Sequence, residues 1–133
     1  IMLAKQLQRF LIVGFTTVLI DFTVYRLLLY LDSPTAIAKG LGFIAGTIFA
    51  YFANKLWTFS QAKGGANVFS MFIALYLITL IINVGVNSGV VSVLGEEELF
   101  LMLAFLLATG TSATLNVVGM QMIVFKGKQR IDS

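Results

Sequence analysis

Four long apolar stretches constrain the fold of this chain more than any other feature, and they lie at about residues 10–31, 36–57, 69–94 and 99–125. Each can cross the roughly 30 Å hydrocarbon core of a bilayer as a helix, which takes about 20 residues. Hydrophobic residues make up 59% of the chain and charged residues 11%, whereas a soluble domain is about half apolar and a quarter charged. Residues 1–133 are therefore expected to form one all-α transmembrane domain with four spanning helices.

Short polar segments separate the four stretches. Asp32, Ser33 and Pro34 follow the first stretch, and a proline cannot continue a helix because it lacks the backbone N–H. A polar loop is predicted at residues 60–67, and Gly95 with three glutamates follows the third stretch. None of these segments has room for a soluble domain.

The lysines and arginines that flank the stretches predict the orientation of the chain. Seven of them fall on one side of a four-span arrangement, namely Lys5, Arg9, Lys55, Lys63, Lys126, Lys128 and Arg130. The two opposite loops contain Asp32 and the glutamates at 96–98, with no lysine or arginine. In membrane proteins, the loops on the cytoplasmic side carry an excess of lysine and arginine. We therefore expect cytoplasmic N and C termini in a multi-pass protein of the cell inner (plasma) membrane.

The chain also contains a weak internal repeat. A shift of 62 residues aligns the first stretch with the third, and it pairs Asp21 with Asn83. A shift of 66 residues aligns the second stretch with the fourth, and it pairs Gly42 with Ala108. Two parallel two-helix repeats of this kind would be related by an axis along the membrane normal.

The composition excludes several kinds of chemistry. The chain has no cysteine and no histidine, which removes thiolate ligands and the commonest general base and metal ligand. Its six carboxylates include no convincing pair at a spacing suited to acid–base catalysis. A net charge of +3 is too small and too dispersed for a nucleic-acid surface. We therefore expect no enzyme activity, no metal, no cofactor and no nucleic-acid partner.

Asp21 lies near the middle of the first stretch. A charge at the bilayer centre costs at least about 2.5 kcal/mol on insertion scales, so Asp21 is expected to face protein or water, or to be protonated. Two interpretations stay open. Asp21 either pairs with a cation or accepts interhelical hydrogen bonds, or it serves as a gate or a proton-coupling carboxylate.

Two cations and an amide are predicted at one depth in the outer half of the membrane. At a rise of 1.5 Å per residue, Arg26 lies about 7 Å outward of Asp21, and Lys39 about 10 Å from the midplane. Asn87 on the third stretch reaches a similar level. With no acidic residue expected there, Arg26 and Lys39 are predicted to bind a phosphate together. The alternative is that both side chains snorkel to the outer interface.

Small and polar residues mark particular helix faces. Gly42, Gly46, Ala50 and Asn54 recur at intervals of four, as do Ala104, Ala108, Ser112 and Asn116, a pattern typical of close helix packing. Tyr76, Thr79, Asn83 and Asn87 share a face of the third stretch. This polar face is expected to lie toward the bundle interior or a partner subunit.

Three residues are predicted at the inner membrane interface. Lys55 and Trp57 suit an interfacial anchor, although a contact with a phosphate is the alternative interpretation. Asn54 requires a hydrogen-bond partner, because an unpaired amide inside the interface is costly.

Two ordered motifs carry a family resemblance. They are Arg9-Phe10-Leu11-Ile12-Val13-Gly14 leading to Asp21-Phe22, and Ala50-Tyr51-Phe52-Ala53-Asn54-Lys55-Leu56-Trp57-Thr58-Phe59. Together with Asn116 and Ile123-Val124-Phe125, they resemble the GtrA-like family of small membrane proteins. That family often has a basic residue shortly before the last aromatic, where this chain reads Gly119-Met120-Gln121-Met122. Whether Gln121 or Lys126 takes its place stays open.

The resemblance implies a flippase, or carrier, for a polyprenyl-phosphate-linked monosaccharide. It would move this lipid from the cytoplasmic to the outer leaflet for glycosylation of cell-envelope polysaccharide. Two alternatives stay open: an anchoring or accessory subunit of a membrane glycosyltransferase, and a small-multidrug-type exporter. The exporter is disfavoured because positive residues near a carboxylate would repel a cationic substrate.

The expected partners are the sugar lipid, the membrane, a second copy of the chain and a membrane glycosyltransferase. A homo-oligomer is expected because four helices are few for enclosing a sugar-phosphate, and the small-residue faces are candidate interfaces. The predicted substrate-binding residues are Asp21, Arg26, Lys39, Asn54, Lys55, Asn83, Asn87 and Asn116.

Overall fold

The computed structural model describes the backbone at residues 2–58 and 65–132, and the side chains at residues 2–58 and 69–123. The helices in this part of the chain are α1 (Ala4–Tyr30), α2 (Thr35–Ala53), α3 (Gly65–Leu94) and α4 (Glu98–Asp132). A wider π-helical turn, Asn54–Thr58, continues α2. Within these described ranges, four helical segments are long and apolar enough to cross a membrane. The prediction of an all-α protein with four spanning helices is therefore confirmed.

The helix ends lie near the predicted ends, with some extensions. α1 begins at Ala4 and α4 continues to Asp132, because lysine, glutamine and arginine favour a helix beyond the apolar core. Pro34 immediately precedes α2, and Gly95 follows α3 with a φ of +102°, which glycine adopts readily. The predicted features that involve Phe59, Lys63 and the side chains of Phe125, Lys126, Lys128 and Arg130 lie outside the described residues.

The four helices pack as two pairs. α1 packs along α2, α3 packs along α4, and the pairs meet mainly through α2 and α3. In contrast, α1 and α4 touch over a small area. Helices α1 and α4 therefore flank a gap, and the candidate site lies in this gap.

Two glycines of α2 allow α1 to approach closely. A Cβ atom at Gly42 would lie 2.5 Å from Asp21 Oδ1 and 2.7 Å from the Asp21 carbonyl oxygen, and one at Gly46 would lie 2.9 Å from the Thr17 carbonyl oxygen. The predicted packing role of both glycines is confirmed. Because this contact lies within the chain, these glycines are not exposed to serve as the predicted interface between subunits.

The α3–α4 pair repeats this arrangement with a polar contact. Asn83 Nδ2 donates hydrogen bonds to the Ala108 carbonyl oxygen at 3.2 Å and to Ser112 Oγ at 2.8 Å. In the aligned repeat, Asn83 corresponds to Asp21 and Ala108 to Gly42. Equivalent positions therefore meet in both helix pairs.

Polar side chains of α3 lie inside the bundle, while large apolar side chains cover its outside. All four residues of the predicted polar face, Tyr76, Thr79, Asn83 and Asn87, are buried. Thr79 Oγ1 donates a hydrogen bond of 2.8 Å to Asn116 Oδ1 on α4. This distribution suits a chain surrounded by lipid, where polar groups face the bundle interior.

Candidate functional site

A cavity between α1 and α4 opens sideways, toward the surrounding membrane, and we call it the lateral cleft. It has a volume of about 230 Å³, with α1 and α4 as walls and α2 and Tyr76 of α3 as its floor. Leu11 and Phe15 line it and are 51% and 68% exposed, so its mouth lies on the lipid-facing surface. The polar side chains in the lining are Thr17, Asp21, Thr47, Asn54, Tyr76, Thr109, Ser112 and Asn116.

The lateral cleft occupies one half of the depth of the bundle. Along α1 its lining runs from Phe10 to Asp21, and along α4 it runs from Thr109 to Val117. These are the N-terminal part of α1 and the later part of the α4 span. In the predicted orientation, both belong to the cytoplasmic half of the membrane.

A buried ion pair lies at the mid-membrane end of the lateral cleft. Lys39 Nζ donates a hydrogen bond of 2.7 Å to Asp21 Oδ2, and both residues are buried. The ammonium also lies 4.8 Å from the centroid of the Phe105 ring. Pairing reduces the cost of a charge in apolar surroundings. The pairing of Asp21 with a cation is therefore confirmed, and the snorkelling interpretation of Lys39 is wrong.

Three buried polar atoms in the cleft lining have no hydrogen-bond partner among the described residues. They are Asp21 Oδ1, Asn54 Nδ2 and Thr109 Oγ1. Buried polar groups are normally paired, because an unmet hydrogen bond costs about 1–3 kcal/mol. These atoms offer a carboxylate acceptor, an amide donor and a hydroxyl group to a polar ligand.

The π-helical turn at the end of α2 carries Asn54. Thr58 Oγ1 donates a hydrogen bond of 2.7 Å to Asn54 Oδ1, which fixes the amide and leaves Nδ2 for another acceptor. Single π-helical turns occur frequently at functional sites because they change the direction of side chains within a helix. Asn54 was predicted to require a hydrogen-bond partner. Among the described residues, its side-chain oxygen has one and its side-chain nitrogen has none.

Contacts between α1 and α4 close the opposite end of the bundle. The Phe105 ring lies 5.1 Å from the Phe22 ring and 5.5 Å from the Tyr25 ring, measured between centroids. Next to Tyr25 in the sequence, Arg26 pairs with Glu98 at the start of α4, with its Nη2 2.9 Å from Glu98 Oε2. We call these five residues the outer closure.

The structure separates the two cations that were predicted to bind one phosphate. Arg26 pairs with Glu98 and its side chain is 35% exposed, whereas Lys39 is buried against Asp21. The expectation that no acidic residue lies at the level of Arg26 is wrong, because α4 begins at Glu98 on the same side of the bundle.

Two cationic residues lie at the end of the bundle that is predicted to face the cytoplasm. Arg9 Nη1 donates a hydrogen bond of 3.0 Å to the Trp57 carbonyl oxygen, and its guanidinium lies 5.0 Å from the centroid of the indole ring. Lys55 is exposed, with its ammonium 5.7 Å from the Tyr51 ring. Both contacts suit the predicted interfacial anchor.

Gln121 connects the start of the chain to α4. Its Oε1 accepts a hydrogen bond of 2.8 Å from the Met2 backbone N–H. The side chain of Lys126 lies outside the described residues, so the choice between these two residues for the role of the family's basic residue stays open.

The structure brings only part of the predicted set together. The predicted residues that line the lateral cleft are Asp21, Asn54 and Asn116. The predicted residues that do not line it are Arg26 in the outer closure, Lys39 behind Asp21, the exposed Lys55, and the interhelical Asn83 and Asn87.

Several residues of the lateral cleft and the outer closure were not predicted from the sequence. Thr109 shares a face of α4 with Ser112 and Asn116, and this spacing of three and four residues could have revealed it. Tyr25 and Glu98 had no such signal. Their importance depends on which helices meet, and Glu98 is 72 residues away from its partner.

A comparison with known families gives one extended match. Residues 9–130 match the family model described as the GtrA/DPMS transmembrane domain. The matched segment includes all the lining residues of the lateral cleft and the whole outer closure. No solved structure matches this chain.

Proposed function

The chain belongs to the GtrA/DPMS transmembrane domain family, and we propose that it carries a polyprenyl-phosphate-linked monosaccharide from the cytoplasmic to the outer leaflet. The observation that carries this proposal is the lateral cleft, which combines an opening to lipid with an interior of unpaired polar atoms. A lipid with a polar headgroup needs both features. Its tail can stay in the bilayer while its headgroup enters the bundle from the side.

The unpaired atoms suit the hydroxyl groups of a sugar. A sugar hydroxyl donates one hydrogen bond and also accepts, so Asp21 Oδ1 can accept from it and Thr109 can bind a neighbouring hydroxyl. Asp21 and Thr109 stand on opposite walls of the cleft. We infer that the sugar lies between these walls, at the mid-membrane end.

The phosphate of the lipid would follow the sugar at the inner end of the cleft. Asn54 Nδ2 is the unpaired donor there, and Lys55 adjoins it on the surface. Hydrogen bonds from donors to an anionic phosphate are stronger than those between neutral groups. This placement agrees with the predicted entry of the substrate from the cytoplasmic side.

Release at the outer leaflet requires the outer closure to separate. The weak contact between α1 and α4 allows the α1–α2 pair to move against the α3–α4 pair, with the α2–α3 contact as the pivot. Separation would free Arg26 from Glu98. The predicted role of Arg26 in binding phosphate therefore belongs to this second state, whereas Lys39 stays paired with Asp21 because both residues lie within the α1–α2 pair.

The remaining assignments follow from this proposal. We place the chain in the cell inner membrane, as a carrier without catalytic activity, and we expect a homo-oligomer that works beside a membrane glycosyltransferase. The buried ion pair disfavours a small-multidrug-type exporter, because Lys39 already occupies the carboxylate that would bind a cationic drug.

A leaflet-resolved assay tests the proposal. Purified protein is reconstituted into liposomes that contain a polyprenyl-phosphate hexose labelled in the sugar, and impermeant periodate is added outside. The reagent should oxidise nearly all of the labelled lipid when the protein is present, and only the outer-leaflet share in protein-free liposomes. Equal oxidation in both would contradict the proposal, and copurification of a glycosyltransferase would then favour the accessory-subunit alternative.

A further inference from the structure

Two buried side chains outside the lateral cleft carry polar atoms with no hydrogen-bond partner among the described residues. They are the Tyr25 hydroxyl of α1 and both polar atoms of the Asn87 amide of α3. Tyr25 is 1% exposed and Asn87 is 0% exposed. The two side chains lie beside each other, but no hydrogen bond of acceptable geometry joins them.

One of them, Tyr25, belongs to the outer closure, and Asn87 lies beside it. The Tyr25 ring packs against Phe105, and Tyr25 and Asn87 each lie one helical turn outward of the mid-membrane residues Asp21 and Asn83. Neither residue lines the lateral cleft. They therefore form a separate polar cluster in the outer half of the bundle.

The cluster is poorly suited to the closed state in which it is seen. Unpaired polar atoms in a buried position weaken the folded state, and apolar side chains of similar shape would pack there at no such cost. Together, however, the two side chains supply donors and acceptors, since the amide provides two N–H groups and an oxygen, and the phenol both donates and accepts. This is the chemistry that adjacent sugar hydroxyls require.

We propose that Tyr25 and Asn87 form a second sugar-binding site, which receives the hydroxyl groups of the lipid-linked sugar when α1 separates from α4 at the outer closure. The inference rests on the proposed function, and it adds a binding site in the outer half to the one in the lateral cleft. The sugar would leave Asp21 and Thr109, bind Tyr25 and Asn87, and then enter the outer leaflet. The Phe105 ring, uncovered by the same movement, would lie against the apolar C–H face of the sugar.

Such a site makes the transport kinetics asymmetric. A substrate that is loaded from the outer side meets Tyr25 and Asn87 first, whereas one loaded from the inner side meets the lateral cleft first. Loss of the outer site should therefore raise the KM for loading from the outer side, and leave the KM for inner loading unchanged.

Vesicles of defined orientation test this asymmetry. A short-chain, water-soluble prenyl-phosphate hexose is added to right-side-out or inverted membrane vesicles that contain the protein, and its entry is measured. The variants are Tyr25→Phe and Asn87→Leu, with Tyr51→Phe at the opposite end of the bundle as the matched control. For outer loading, each variant should raise the KM about five-fold, the effect of one lost hydrogen bond, while the control behaves like the unchanged protein.

Thermal unfolding in detergent distinguishes this proposal from a purely structural role of Tyr25. If the hydroxyl only stabilised the fold, its removal would lower the unfolding midpoint. Because the Tyr25 hydroxyl makes no well-formed hydrogen bond with the described residues in the closed state, Tyr25→Phe should not lower the unfolding midpoint. A lowered midpoint would show that the hydroxyl is bonded to protein or water at rest, and it would overturn the inference.

The transport measurements separate failure of this inference from failure of the proposed function. If the unchanged protein transports the lipid and both variants keep its KM for outer loading, this inference alone is overturned. No transport by the unchanged protein in either direction would overturn the proposed function as well.

Discussion

Lys39 Nζ lies 2.7 Å from Asp21 Oδ2, and this ion pair joins α1 to α2 in the middle of the bundle. Both residues are buried, so each charge compensates the other in apolar surroundings. The other carboxylate oxygen, Asp21 Oδ1, has no hydrogen-bond partner among the described residues. Asp21 thus stabilises the fold through one oxygen, and its side chain also lines the lateral cleft.

Breaking this ion pair from either side should destabilise the protein. Asp21→Asn or Lys39→Met leaves one buried charge uncompensated, at a cost of about 3–5 kcal/mol, and each should lower the unfolding midpoint in detergent. The double variant Asp21→Asn/Lys39→Met removes both charges and should recover most of the lost stability. Losses that simply add in the double variant would contradict the pairing.

The same double variant separates the structural role of Asp21 from its role in transport. With stability recovered, it carries a neutral amide in place of the carboxylate that we assign to the sugar, and an amide oxygen accepts hydrogen bonds more weakly than a carboxylate oxygen. It should translocate the polyprenyl-phosphate hexose more slowly than the unchanged protein, measured with impermeant periodate. A rate equal to that of the unchanged protein would leave Asp21 with a purely structural role.

Gly42 should tolerate no added methyl group. In Gly42→Ala, the new Cβ would lie 2.7 Å from the Asp21 carbonyl oxygen, and relief requires the helices to move apart. We expect a loss of about 1–3 kcal/mol in stability. The matched control is Gly89→Ala, where no atom lies within 4 Å of the added Cβ, and where alanine should be neutral or stabilising. Equal effects of the two substitutions would contradict the close approach of α1 and α2.

The outer closure should have to open during transport. Because the chain has no native cysteine, Arg26→Cys/Glu98→Cys introduces a unique pair, and loss of this partly exposed ion pair costs at most about 1 kcal/mol. A short, reducible bifunctional thiol reagent should then stop translocation, and reduction should restore it. Each single-cysteine variant treated with the same reagent is the control. Translocation at the full rate with the pair crosslinked would show that α1 and α4 need not separate.

The spanning helices were predictable from the sequence, whereas the partners of the charged residues were not. Length and apolarity indicate a membrane helix directly, and the four-residue spacing of Gly42 and Gly46 indicates a packing face. Depth along a helix, which placed Arg26 and Lys39 together, contains no information about the direction in which each side chain points. Lys39 turns toward Asp21, and Arg26 turns toward Glu98.

The sequence predicted some residues of the lateral cleft, but it did not predict the cavity itself. A polar residue within a membrane-spanning stretch is energetically costly and often marks a functional site. On this ground, the sequence identified Asp21, Asn54 and Asn116 as candidate site residues. Their common cavity arises because α1 and α4 barely meet along that half of the bundle, and this is a property of the helix arrangement rather than of any one residue.

The orientation of the chain is testable by labelling. Cysteines at Ser33 and Glu97, which lie between helices on the side without lysine or arginine, should react with an impermeant thiol reagent added to intact cells. A cysteine at Lys55 should react only after the membrane is opened. The reverse pattern would place the lateral cleft in the outer half of the membrane and the outer closure on the cytoplasmic side.

Filling the lateral cleft and measuring translocation tests most directly whether the headgroup passes through it. Ala113 lines the cleft from α4 and is exposed at its mouth, so Ala113→Phe should occupy the space that we assign to the headgroup. Ala74→Phe makes the same change at an exposed position of α3 that does not line the cleft. In the periodate assay with polyprenyl-phosphate hexose, Ala113→Phe should abolish translocation while Ala74→Phe retains it. Equal rates for both variants would contradict passage of the headgroup through the lateral cleft.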